Sequence, residues 1–156
     1  MIHFDIPGRE QVELAYLVLD FNGTLAFDGQ FIAGVPELLT QLAEQLKIYI
    51  CTADTYQTVQ NQCHSLPVEV KTFPQGQAAA AKLEIVEQLG ADQCVAIGNG
   101  YNDLLMIKQA ALSVAVIEGE GTYGQCLYHS DIVCRSIGEA LDLLNHPQRI
   151  KATLRH

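Results

Sequence analysis

The chain has 156 residues, 49% hydrophobic and 17% charged, with 18 acidic residues against 9 basic and a net charge of −9. That length suits one domain whose single core needs no disulfides. The acidic balance excludes the basic face a nucleic-acid binder needs and speaks against an anionic membrane surface. Residues 1–14 read as an extended segment turned at Pro7-Gly8, with no basic and apolar leader pattern, so a cytoplasmic location is expected. Residues 15–20 (AYLVLD) form an apolar run ending in a carboxylate. Residues 25–32 read as a hairpin with Asp28-Gly29 at its turn. Residues 35–46 carry a helical apolar stripe, and residues 47–52 (KIYICT) read as a strand. A helix is expected over 55–66, a strand over 68–73, and a strong helix over 77–89 that Gly90 ends. Then come a buried strand (94–97), a helix (102–112), a strand (113–117), a short helix (122–129) and a last strand (131–134). Ser136 and Glu139 form a capping box for a helix over 137–144, and Pro147 opens a final one.

Apolar strands alternating with helices predict a three-layer α/β fold, a Rossmann-like parallel sheet with helices on both faces. The whole chain, 1–156, reads as one domain with its core at about 15–145 and a helical tail over 146–156. Apolar runs fall short of the ~20 residues that span a bilayer. The five cysteines (Cys51, Cys63, Cys94, Cys126, Cys134) include no C-x-x-C pair and read as buried small hydrophobes. The five histidines are scattered, with no zinc-ligand spacing.

In such folds ligands sit beyond the carboxyl ends of the strands. There the sequence places Asp20-Phe-Asn-Gly-Thr-Leu25, then Thr52-Ala-Asp54, and later Gly98-Asn-Gly-Tyr-Asn-Asp103, with Lys82 on the helix between. Carboxylates, a hydroxyl and an ammonium converging on one crevice suit phosphoryl transfer. The carboxylate can attack phosphorus, and the cation and backbone amides can neutralise the equatorial oxygens. Gly23, Gly98 and Gly100 would let the backbone turn tightly there.

These motifs resemble the haloacid dehalogenase (HAD) superfamily, and within it the phosphorylation domain of P-type ATPases. The resemblance runs from about residue 15 to 134. DFNGTL is similar to the nucleophile loop, CTAD to the second motif, Lys82 in AKLEIVEQLG to the motif lysine, and GNGYND to the acidic loop. It implies Asp20 as nucleophile, with Thr52 and Lys82 holding the phosphoryl group. Gly23, Ala53 and Asn102 would join them in substrate binding. It implies magnesium held by Asp20, the Asn22 carbonyl and Asp103 with Asn99. Asp54 reads equally well as a cap of the next helix.

Two positions depart from the pattern. Most phosphatases of the superfamily carry a general-acid Asp where this chain has Asn22, and an amide shuttles no proton. Asn99 stands where a metal-binding Asp is usual, and an amide oxygen is a weaker ligand for a hard cation. Two amides for two carboxylates should weaken magnesium binding and strengthen the hold on a phosphate dianion. Turnover is then expected to be slow. Only residues 26–51 separate the first two motifs, too few for the pumps' nucleotide-binding domain, and residues 53–81 leave no room for a cap. The open site would take a phosphorylated small molecule or phosphate, or be covered by a second copy in a homo-oligomer. The expected activity is a magnesium-dependent phosphohydrolase. The alternative is a phospho-accepting or phosphate-binding regulatory module. A receiver domain fits poorly, because Asp20 follows the first strand of the apolar series. Arg149, Lys151 and Arg155 near the end of the chain read as cations at a helix C-terminus or as a tail reaching a phosphate site.

Overall fold

A computed structural model describes residues 1–53 and 56–156. Asp54 and Thr55, and with them the cap reading of Asp54, lie outside the described residues. The central element is β3 (Tyr16–Asp20), whose residues 17–20 are buried. It lies inside a six-stranded sheet with β6 (Lys47–Thr52) on one side and β8 (Cys94–Gly98) on the other. Beyond β6 runs β7 (Glu69–Thr72), and beyond β8 run β9 (Leu112–Val116) and β10 (Ile132–Cys134). All neighbours in this sheet are parallel. The chain therefore leaves β3 toward one edge, then returns to build the other. That reversal opens a crevice at the carboxyl end of β3.

Side chains alternate across the sheet. Leu17 and Leu19 join one cluster with Val35, Leu39 and Leu42 of α1 (Val35–Leu42) and Ile137, Ala140, Leu141 and Leu144 of α6 (Ile137–Leu144). Val18 faces the other way, toward Val86 of α3 (Ala78–Leu89) and Met106 of α4 (Leu104–Gln109). α2 (Tyr56–Cys63) adds Val59 and Cys63 to the first face, and α5 (Gly124–His129) packs Cys126 near Ile107 and Ala115. The three-layer expectation stands. All five cysteines are buried and free. No helix among the described residues is long and apolar enough to cross a membrane.

The small extras are as read, with more packing. β1 (Ile2–Asp5) and β2 (Gln11–Leu14) form an antiparallel pair. Ile2, Phe4 and Leu14 enter the main cluster, as does Ile150 of α7 (Pro147–Leu154). The second pair, β4 (Ala26–Phe27) and β5 (Gln30–Phe31), turns at Asp28 and Gly29, with φ of 50° and 77°. Positive φ at both centres is the hairpin geometry that matches strand twist. Ser136 caps α6 by accepting from the Glu139 amide at 3.1 Å.

Several helices are shorter than the sequence suggests: α2 ends at Cys63 where 66 was expected, and α5 begins at Gly124 where 122 was expected. α1 stops at Leu42, because Leu46 is drawn into the core by a turn that feeds β6 directly. The 102–112 helix opens as a 3-10 turn over Tyr101–Asp103 and is α-helical only to Gln109. The Asp103 side chain folds back on that turn. The tail cations lie at the other end of the sheet from the β3 crevice. Leu154 shares a cavity there with Asp92, Leu112 and Asp131, at the amino ends of the strands, and Arg149 pairs with Asp142 at 3.0 Å.

Leu19→Ala deletes a fully buried side chain from the central strand. It should lower unfolding free energy by about 2–5 kcal/mol in a urea melt. A loss below about 1 kcal/mol would contradict the assignment of β3 as the sheet's centre.

Candidate active site

Asp20 ends β3 at the crevice and is 8% exposed. Ala78, Lys82 and Val86 form the buried stripe of α3, so helical spacing delivers Lys82 to the sheet with 1% exposure. Its ammonium donates to Asp20 Oδ1 at 2.7 Å, to Asp103 Oδ1 at 2.7 Å and to Asn102 Oδ1 at 3.1 Å. Asp103 Oδ2 accepts from the Asn99 and Gly100 amides, each at 3.0 Å. Asp103 is fully buried and does not line the pocket. Expected as a metal ligand, it is engaged through both oxygens, one holding Lys82 and the other closing the turn after β8. Gly98 is needed for close approach, since a Cβ there would meet Asp103 Cγ at 2.5 Å. Gly100 has ordinary extended backbone, φ −105°, so the tight turn expected at it is not required.

Burial and the negative charge of Asp103 raise the Asp20 pKa to about 7, although Lys82 and Thr24 pull it down. Burial disfavours charge on Lys82 too, but its two carboxylates outweigh that, and its pKa is raised. Lys82 therefore stays a cation shared by two carboxylates. Beside them, burial pushes the Cys51 thiol up to about 12, which removes it as a thiolate nucleophile.

The pocket is a cavity of about 410 Å³. Asp20, Asn22, Thr52, Ala53, Lys82, Asn99 and Asn102, all read from the sequence, line it. Gly23 lies buried under one wall with φ 77°, a conformation glycine adopts without strain. Four residues at the site, Thr24, Gln75, Tyr101 and Glu120, have no role assigned from the sequence. Thr24 is fully buried, and its hydroxyl donates either to Asp20 Oδ2 (3.3 Å) or to Asn99 Oδ1 (3.2 Å). Its place in DFNGTL was the available signal. Gln75, Tyr101 and Glu120 line the cavity, and no spacing rule points to Glu120.

Among the described residues, no three His, Cys, Asp or Glu side chains form a ready metal cluster. The donors on the pocket are hard oxygens of carboxylates, amides and main chain, the set a magnesium-type cation takes. Such a cation uses one or two carboxylates, keeps waters and takes the rest from substrate phosphate. The residues present fit it.

A profile of the haloacid dehalogenase-like hydrolases matches residues 7–111. The chain belongs to that family. An uncharacterised protein of Methanocaldococcus jannaschii is 44% identical over 84 residues, 51% of this chain and 90% of that protein. Two solved structures share the fold at low identity. The cobalt-bound deoxy-D-mannose-octulosonate 8-phosphate phosphatase of Haemophilus influenzae superposes with a TM-score of 0.72 at 14% identity, covering 92% of this chain and 94% of that one. The 3-deoxy-D-manno-octulosonate 8-phosphate phosphatase of Moraxella catarrhalis, solved with magnesium, phosphate and the sugar acid, gives 0.65 at 20%, covering 91% and 94%.

Lys82→Met leaves two buried carboxylates without their cation. It should destabilise the protein by about 3–5 kcal/mol at neutral pH in urea melts. The native variant then binds protons that the unfolded chain does not, so the loss should shrink as pH falls. A loss that is small, or that grows in acid, would contradict this electrostatic account.

Proposed function

We propose that this protein is a magnesium-dependent phosphohydrolase acting through an aspartyl-phosphate on Asp20. The observation that carries the reading is the pairing of Asp20 with Lys82 at 2.7 Å at the floor of a cavity sized for a small molecule. An Asp20 carboxylate oxygen attacks phosphorus, and the bond to the leaving oxygen breaks with its electron pair on that oxygen. Water then attacks phosphorus, releasing inorganic phosphate and restoring the carboxylate. Lys82, Thr52 and Asn102 would hold the phosphoryl oxygens, and Asp103 would position Lys82, a reading supported by their shared pocket and by the Lys82 hydrogen bonds. Asp20, the Asn22 carbonyl and Asn99 would hold the cation. When bound, it shields the carboxylate from the phosphate charge and stabilises the transition state.

Asn22 gives the leaving oxygen no proton, so that proton comes from solvent. Substrates with good leaving groups, acyl and aryl phosphates, are favoured and turnover is slow. The Tyr101 ring, 5.3 Å from that of Tyr123 at the pocket mouth, supports a flat leaving group. The structural likeness to phosphatases of a sugar-acid phosphate supports a phosphorylated small molecule as substrate class. We further place the protein in the cytoplasm, near the P-type ATPase phosphorylation domains in chemistry, with the open pocket coverable by a second copy. Asn22 also favours a second reading, a module that accepts phosphate on Asp20 and keeps it.

Phosphate release from acetyl phosphate and an aryl phosphate, with magnesium, tests the proposal. Wild type should turn over slowly and Asp20→Asn not at all. Asn22→Asp should raise the rate on a poor leaving group by roughly 10²–10⁴-fold. Turnover in Asn22→Asp but none in wild type would put the phospho-accepting reading first. Turnover that survives Asp20→Asn would refute both.

A further inference from the structure

One carboxylate on the pocket has no part in the chemistry above. Glu120 stands in the turn after β9 and lines the cavity with Asp20, Asn22 and Asn99. Its carboxylate rests against Gly23. A methyl at Gly23 would collide with it and would stand 2.8 Å from Asn99 Nδ2. The loop after the nucleophile thus lacks a side chain at the spot this carboxylate occupies. Among the described residues, no lysine, arginine or histidine pairs with Glu120. A negative charge is brought to the pocket wall and left without a protein cation.

The turn that carries it is pinned to Asn99. Asn99 Nδ2 donates to the Gly121 carbonyl at 3.0 Å, and the Tyr123 amide donates to the Asn99 carbonyl at 2.7 Å. Within the turn, the Gly121 amide donates to the Glu118 carbonyl at 2.9 Å, and Thr122 Oγ1 donates to the Val116 carbonyl at 2.6 Å. An aspartate at 99 could not make the first of these bonds. An ionised carboxylate has no proton to donate and would face the Gly121 oxygen in repulsion. The amide at 99 gives up a charge and in exchange holds the turn that presents another.

We infer that Glu120 supplies, toward the divalent cation of the Asp20 site, the negative charge that Asn99 lacks. The inference rests on the metal part of the proposed function. Glu120 is exposed at its turn, so its carboxylate can ligate directly or through one of the waters that magnesium keeps. The weak magnesium binding expected from two amides is then corrected from outside the four motifs, and one of those amides is what makes the correction possible.

The test is calorimetric titration of Mg²⁺ alone into wild type, Glu120→Gln and Asp20→Asn at fixed ionic strength. Thermal melts without magnesium accompany it as the check on folding. Glu120→Gln should melt like wild type and bind magnesium about tenfold or more weakly, and Asp20→Asn should also lose affinity. Wild-type affinity in Glu120→Gln, with affinity lost in Asp20→Asn, would overturn this inference and leave the cation at Asp20 standing. Absence of magnesium binding in wild type would overturn both the inference and the metal part of the function. Phosphate release without magnesium would then show whether the Asp20 chemistry survives alone.

Discussion

A lysine ammonium buried between two carboxylates organises this site. Lys82 is 1% exposed and bonds Asp20 and Asp103 at 2.7 Å each. Desolvating three charged groups costs several kcal/mol per ion, and only close, well-partnered geometry offsets it. That requirement reaches through the fold. Asp20 must end the central strand, Lys82 must lie on the buried stripe of α3, and Asp103 must fold back on the turn after β8. Glycine at 98 makes room for that fold-back. The pocket is the open end of this arrangement.

The sheet order explains why the three meet. β3 sits between β6 and β8, and the chain changes direction across it. The ends of these strands therefore deliver Thr52, Asp20 and Asn99 to neighbouring points. α3 covers the face to which Val18 and Ala96 point, which brings its lysine over the same spot. A buried cation next to a carboxylate of raised pKa is an arrangement kept for chemistry more than for stability, because apolar side chains would hold the layers together as well.

Much of this was legible in the chain. The run AYLVLD announces a buried strand with a carboxylate at its end, and AKLEIVEQLG announces a helix whose Lys82 is picked out by its likeness to the motif lysine, not by an apolar stripe. What local periodicity cannot express is tertiary closure. α1 ends early because Leu46 is needed in the core. Asp103 turns inward, where it accepts from two backbone amides and from Lys82, and no local pattern announces that closure. Ile2 and Phe4 are buried by a hairpin too short for its alternation to stand out. Glu120 was illegible for the same reason. It is adjacent to Gly23 only through the turn that Asn99 holds, about a hundred residues along the chain. Thr24 lay in plain sight inside the first motif, and its burial between Asp20 and Asn99 gives that position a job.

Asp20 as the site of covalent attachment is the central claim. The direct measurement is to quench the protein in acid during reaction with acetyl phosphate or an aryl phosphate and map the added phosphoryl group by peptide mass. The account predicts a single hydroxylamine-labile phosphoryl group on the peptide holding Asp20, absent from Asp20→Asn. A phosphoryl group on another residue, or turnover with none attached at Asp20, would contradict it.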